Sequence, residues 1–94
     1  MIHRVATAEI PANTPGCRAF VGVYPPLPDK RISKWRVRKF EIREDLLDKW
    51  FSEEDLTDSH FVTVDTLNEV EELLNQRGFA DVRFEPPWKN DWPL

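Results

Sequence analysis

The clearest alternation of apolar and polar positions lies in the last third of the chain. Leu67, Val70, Leu73 and Leu74 recur at helical spacing, while Glu69, Glu71, Glu72 and Asn75 fall mostly on the other side. Thr66-Leu67-Asn68-Glu69 fits a capping box, in which the threonine hydroxyl and the glutamate carboxylate each satisfy a free backbone N–H, with Asp65 as an alternative cap. Gly78 stands where a left-handed residue ends a helix, and Phe79 is placed to fold back onto Leu74. Start, stripe and stop agree on a helix over 66–77.

Segments of period two surround it. His60-Phe61-Val62-Thr63-Val64 precedes the helix and Ala80-Asp81-Val82-Arg83-Phe84 follows it, so a compact βαβ-like unit is expected. Residues 18–24 and 34–42 also read as strands. The second alternates as Trp35 and Val37, then changes parity to Phe40 and Ile42, which predicts a bulge near Arg38-Lys39. Ile42, Leu46 and Trp50 fall four apart with Leu47 and Phe51 beside them, which predicts a second helix over 44–52. The first ten residues add an edge strand.

Proline punctuates this pattern. The eight prolines form three groups, and between Asp29 and Glu85 there is none and only one glycine, Gly78. The connector 25–33 suits a hairpin with an ordered loop. Pro86-Pro87 cannot continue a strand ladder, so the chain leaves the sheet there and runs on as an extended tail. In this tail Trp88 is expected to pack on the domain and Trp92 to be the more exposed ring. The expected fold is α+β: three or four mainly antiparallel strands, two helices on one face, and a Trp/Pro-rich tail over 87–94 packed on a single domain.

Composition narrows the function classes. Leu, Ile, Val and Phe supply 26 of 94 residues, above the level below which a charged chain stays disordered. The net charge is −4, against the basic balance usual for a nucleic-acid-binding domain. A single cysteine, Cys17, excludes an internal disulfide framework and a cysteine-rich zinc site. No apolar run is long enough to span a bilayer, and the first residues lack a secretory pattern, so a cytoplasmic protein is expected.

Catalytic motifs do not emerge. The chain has no G-x-S-x-G elbow, Walker loop, H-E-x-x-H helix or EF-hand loop. Cys17 with His60 is the one conceivable thiol–imidazole pair, and a semi-buried thiol beside a strand histidine is the simpler reading. No metal or cofactor is indicated, and the protein is not read as an enzyme.

Charge is segregated instead. Glu41, Glu44, Asp45, Asp48, Glu53, Glu54, Asp55 and Asp58 against Arg43 and Lys49 give −6 over eighteen residues. This is either a solvated face or a surface that steers a basic partner. Just before it, Lys30, Arg31, Lys34, Arg36, Arg38 and Lys39 place six positive charges in ten residues. They read as a solvated or guarded strand, as partners of the protein's own acids, or as an anion-binding row of Lys34, Arg36 and Arg38. The expected function is a non-enzymatic protein-binding module, of inhibitor or immunity type. It would engage a basic partner through Glu44, Asp45, Asp48, Glu53, Glu54, Asp55 and Asp58, with Trp92 as an anchor. The alternative is a small-ligand or nucleic-acid binder using the basic strand Lys34–Lys39.

Overall fold

The computed structural model describes residues 5–47, 49, 51–79, 81–89 and 92–93. Its frame is an antiparallel meander, β1 (Ala6–Ile10), β2 (Cys17–Tyr24), β3 (Trp35–Arg43) and β4 (Leu56–Val64), hydrogen-bonded in the order β1-β2-β3-β4. One α-helix, α1 (Leu67–Gln76), follows β4. The α+β class therefore holds, with a four-stranded sheet and, among the described residues, one α-helix in place of two. None of those residues forms a helix long and apolar enough to cross a membrane.

The helix ends as its sequence dictates. The Thr66 hydroxyl accepts the Glu69 N–H at 3.2 Å and donates to the Glu69 carboxylate at 3.3 Å. At the other end Gly78 adopts φ +79°. The Phe79 N–H reaches the Leu74 carbonyl at 2.8 Å and the Gly78 N–H that of Asn75 at 3.1 Å, the paired bonds of a Schellman ending. Val70 is fully buried, and Leu67, Leu73 and Leu74 pack beside it on one face of the sheet.

The second expected helix gives way to 3-10 turns at Glu44–Leu46 and Glu53–Asp55. Its apparent stripe began with Ile42, and Ile42 is a buried residue of β3. Leu46, Leu47 and Phe51 reach the same apolar cluster as Ile42 from the turns. The proline-rich connector behaves as expected: Leu27 and Ile32 exchange backbone bonds at 2.8 and 3.0 Å around a 3-10 turn at Pro28–Lys30.

Each face of the sheet carries an apolar cluster, and β3 serves each in turn. Trp35 and Val37 pack under α1 with Val21, Val23 and Ala8, while Phe40 and Ile42 join Phe20 and Leu56 on the opposite face. The parity change thus marks a strand that contributes apolar residues to opposite faces at its two ends. There is a bulge, but its extra residue lies in β4. Lys39 pairs with His60 and Glu41 with Thr57, so Phe40 alone stands against Asp58 and Ser59. Asp58 turns this corner with φ +47°, a conformation in which aspartate is several-fold enriched among non-glycine residues.

The segment after α1 corrects the βαβ-like expectation. Residues 82–84 are not a strand; the chain passes across the sheet and meets it again at the far edge, where Thr7 and Glu85 exchange N–H···O bonds of 2.8 and 2.9 Å. Phe79, Val82 and Phe84 pack on the helix-side core, whereas Trp92 packs on the opposite one. Residues 79, 81–89 and 92–93 thus form a strap around the β1 edge, joining the two faces. A 3-10 turn at Pro87–Lys89, closed by Lys89 N–H to the Pro86 carbonyl at 2.9 Å, interrupts the extended run expected there.

Candidate functional site

The sequence-predicted acids divide by what holds them. Asp45 takes the Arg43 guanidinium in a two-pronged pair at 3.1 and 2.7 Å. Asp55 accepts the Ser52 N–H at 2.8 Å and its hydroxyl at 3.4 Å, fixing the turn into β4. Asp58 bonds Lys39, His60 and Asn13. Glu44 and Glu54 are exposed, with no ion pair among the described residues. Asp48 and the side chain of Glu53 lie outside those residues.

Around the bulge the charges form a structural cluster. Glu41 is fully buried and its carboxylate accepts the N–H groups of Asn13, at 2.8 Å, and Thr14, at 3.2 Å. It thereby ties the β1–β2 loop to β3. Lys39, almost fully buried, lies 3.4 Å from Glu41 and also contacts Asp58. Burial pushes the Glu41 carboxyl up, but the Asn13 and Thr14 donors and the Lys39 charge outweigh it and leave the group below its ordinary value. The Lys39 and His60 hydrogen bonds hold Asp58 down at about 2.

The basic row is spent on the protein itself. Lys34, just before β3, pairs with Asp65 at 3.1 Å across the β4–α1 junction. The Arg36 guanidinium lies over the Tyr24 ring at 5.3 Å and donates to the Pro25 carbonyl at 3.4 Å. Arg38 lies over Phe40 at 5.5 Å. Cys17 and His60 are not brought together. Cys17 pairs with Arg43 and His60 with Lys39, which places them two strands and four positions apart, roughly 16 Å at ordinary sheet spacings. The described residues contain no group of histidine, cysteine and acidic side chains able to hold a metal.

The tail reverses its expected roles. Trp88 is 67% exposed, while Trp92 is seated edge-on among Phe20, Tyr24 and Phe40 at centroid distances of 6.2, 6.4 and 5.2 Å. Gly22 is the floor of this slot: a Cβ there would stand 2.6 Å from the Trp92 ring. Sequence reasoning could not find the slot, because its opening is an absent side chain on another strand.

A second feature escaped the sequence reading. β4 is the last strand in the sheet order, and no backbone bond or bridge reaches its outer side among the described residues. Thr57 to Phe61 are all exposed along it, and Phe61 is a large apolar side chain at 58% exposure. Residues 53–72, which contain this strand, carry eight acids and neither lysine nor arginine. The signal was present as a run of sequence, but only the sheet order shows that it contains an edge strand.

Searches of protein-family models, of curated proteins and of solved structures found no match to this chain.

Proposed function

We propose that this chain is a non-enzymatic protein-binding module that meets a basic partner with the acidic surface around β4 and α1. The observation that carries this reading is the run from Glu53 to Glu72, eight acids without a lysine or arginine, divided among the turn before β4, Asp58 within it, Asp65 after it and the exposed side of α1. Lys34 and Lys39 answer Asp65 and Asp58 from β3 and its approach, yet Glu54, Glu69, Glu71 and Glu72 remain exposed. Exposed acids of this kind speed encounter with a positively charged surface and repel an acidic one. An inhibitor or immunity-type role fits a small domain whose charge is segregated and whose Cys17 and His60 lie far apart.

Affinity capture from the native host, with the wild type beside a Glu44→Gln, Glu54→Gln, Glu71→Gln, Glu72→Gln variant, tests this. The expected result is a basic protein retained in stoichiometric amount by the wild type and lost from the variant. Equal retention by both would remove the acidic surface from the interface. Salt-resistant binding of the wild type to heparin would favour the alternative, an anion-binding face at Arg36 and Arg38.

A further inference from the structure

We propose that the tryptophan slot is also an interface between two copies of this chain: Trp92 of one copy seats over Gly22 of the other, while each strap stays bonded to its own Thr7. The proposal is independent of the acidic-surface reading and concerns the opposite edge of the sheet.

The strap docks at two separate points. The first is Glu85, whose carbonyl accepts the N–H of Thr7 at 2.8 Å and its hydroxyl at 3.2 Å. The second is Trp92, packed edge-on against Phe20, Tyr24 and Phe40 where Gly22 leaves room for the ring. All of these partners lie in β1, β2 or β3, remote in sequence from the strap. The slot therefore accepts the same ring from either copy, and every slot contact is kept when the segment is exchanged.

The link between the two points suits exchange. Trp92 lies seven residues beyond Glu85, so an extended link reaches roughly 23 Å at about 3.3 Å per residue. In the closed chain the link turns instead, through the 3-10 turn at Pro87–Lys89. Proline holds φ near a value that both a 3-10 turn and an extended polyproline run adopt, so the turn opens without strain at Pro86 or Pro87. The same turn carries Trp88, at 67% exposure the most exposed large apolar side chain among the described residues. Where two links cross between copies, their Trp88 rings face each other about the two-fold axis. Exchange thus keeps the slot filled and buries a ring that the single chain leaves wet, of the residue type most enriched in interface anchors.

Charge permits the approach. The run Glu53–Glu72 lies on the turn before β4, on β4, and on α1, which packs over β3 and β4. At the β1 side Glu9 and Glu85 are paired with Arg18 and Arg83. Two copies meeting at their β1 edges therefore hold their acidic surfaces apart.

The test is the mass of the full chain in solution, by light scattering. A short flexible link sets an effective concentration in the mM range, so the wild type should be a monomer at about 10 μM and partly a dimer at about 1 mM. Trp92→Ala should lower the dimer fraction at least about tenfold. Trp88→Ala should also lower it, while leaving the urea midpoint of the monomer unchanged. Trp92→Ala and Gly22→Val chains, each monomeric alone, should form a mixed dimer when combined, since one offers an open slot and the other an unseated ring. If either variant fails to fold, isotope-filtered NMR on mixed labelled and unlabelled wild type at about 1 mM should show Trp92–Phe40 contacts between chains. A wild type monomeric at that concentration, a dimer retained in Trp92→Ala, no mixed dimer from two folded variants, or Trp92–Phe40 contacts only within chains would each overturn the proposal.

Discussion

At the β1 edge the Thr7 backbone is met by Glu85, and the strap packs Phe84 on one face and Trp92 on the other. At the β4 edge there is no such cover among the described residues; a bulge, an ion cluster of Lys39, Glu41 and Asp58, and flanking acids stand in its place. One edge is sealed by apolar burial and backbone pairing, the other kept apart by charge. A seal of the first kind persists in salt and acid. The second responds to both, because screening and protonation act on charges and not on buried rings.

Removing the seal is the strongest way to break this comparison. Deleting residues 85–94 takes away the two backbone bonds and the hydroxyl bond between Thr7 and Glu85 and the Trp92 ring, and should lower stability by about 4–6 kcal/mol in urea melts. Trp92→Ala alone should cost about 3 kcal/mol, and Trp88→Ala less than about 0.5 kcal/mol. Equal losses for the two tryptophans would place the wrong ring in the slot.

Gly22→Ala sharpens the point. Its Cβ would collide with the Trp92 ring, so it should expel the ring and cost nearly as much as Trp92→Ala. In the Trp92→Ala background the same change should be neutral or mildly stabilising, since alanine loses less conformational entropy than glycine. Additive losses in this double-mutant cycle would show that the two residues do not share a site.

Acid probes the other edge. The Asp58 carboxyl is held at about 2 against its ordinary 3.8, and a depressed carboxyl contributes stability that is present above the ordinary value and lost as pH falls toward the folded one. Glu41, also lowered, acts with the same sign. Stability should therefore fall between about pH 4 and pH 2, and Asp58→Asn should flatten that fall while leaving the strap-deletion loss unchanged at pH 7. An unaltered acid profile in Asp58→Asn would show that the β4 cluster does not govern it. The smallest effect is expected at Phe61→Thr, within about 0.5 kcal/mol, because an exposed ring contributes little to the fold.

What the sequence made legible follows from how far apart the deciding residues lie. Helix α1 was readable to its caps because Thr66, Glu69, Gly78 and Phe79 act within one turn of the helix they bound. Strands β2 and β3 were readable from alternation, though the parity change at Phe40 looked like a bulge in β3 when it recorded burial on two faces. The helix expected over 44–52 came from counting Ile42 in a helical stripe when it belonged to a strand. The strap's route, the choice between Trp88 and Trp92, and the open edge depend on contacts with β1, β2 and the sheet order. Local pattern carries none of that information.

The bond between Thr7 and Glu85 closes a loop spanning nearly the whole described chain, and this orders events in time. The three hairpin-type contacts of the meander link near neighbours and form early, whereas closing a long loop carries its entropy cost before any contact rewards it. Until the strap docks, the first strand is as exposed as the last, and it has no acids beyond Glu9 to guard it. The edge that is the more secure in the finished molecule is thus the more vulnerable while the chain folds, and refolding at high protein concentration should lose material through β1.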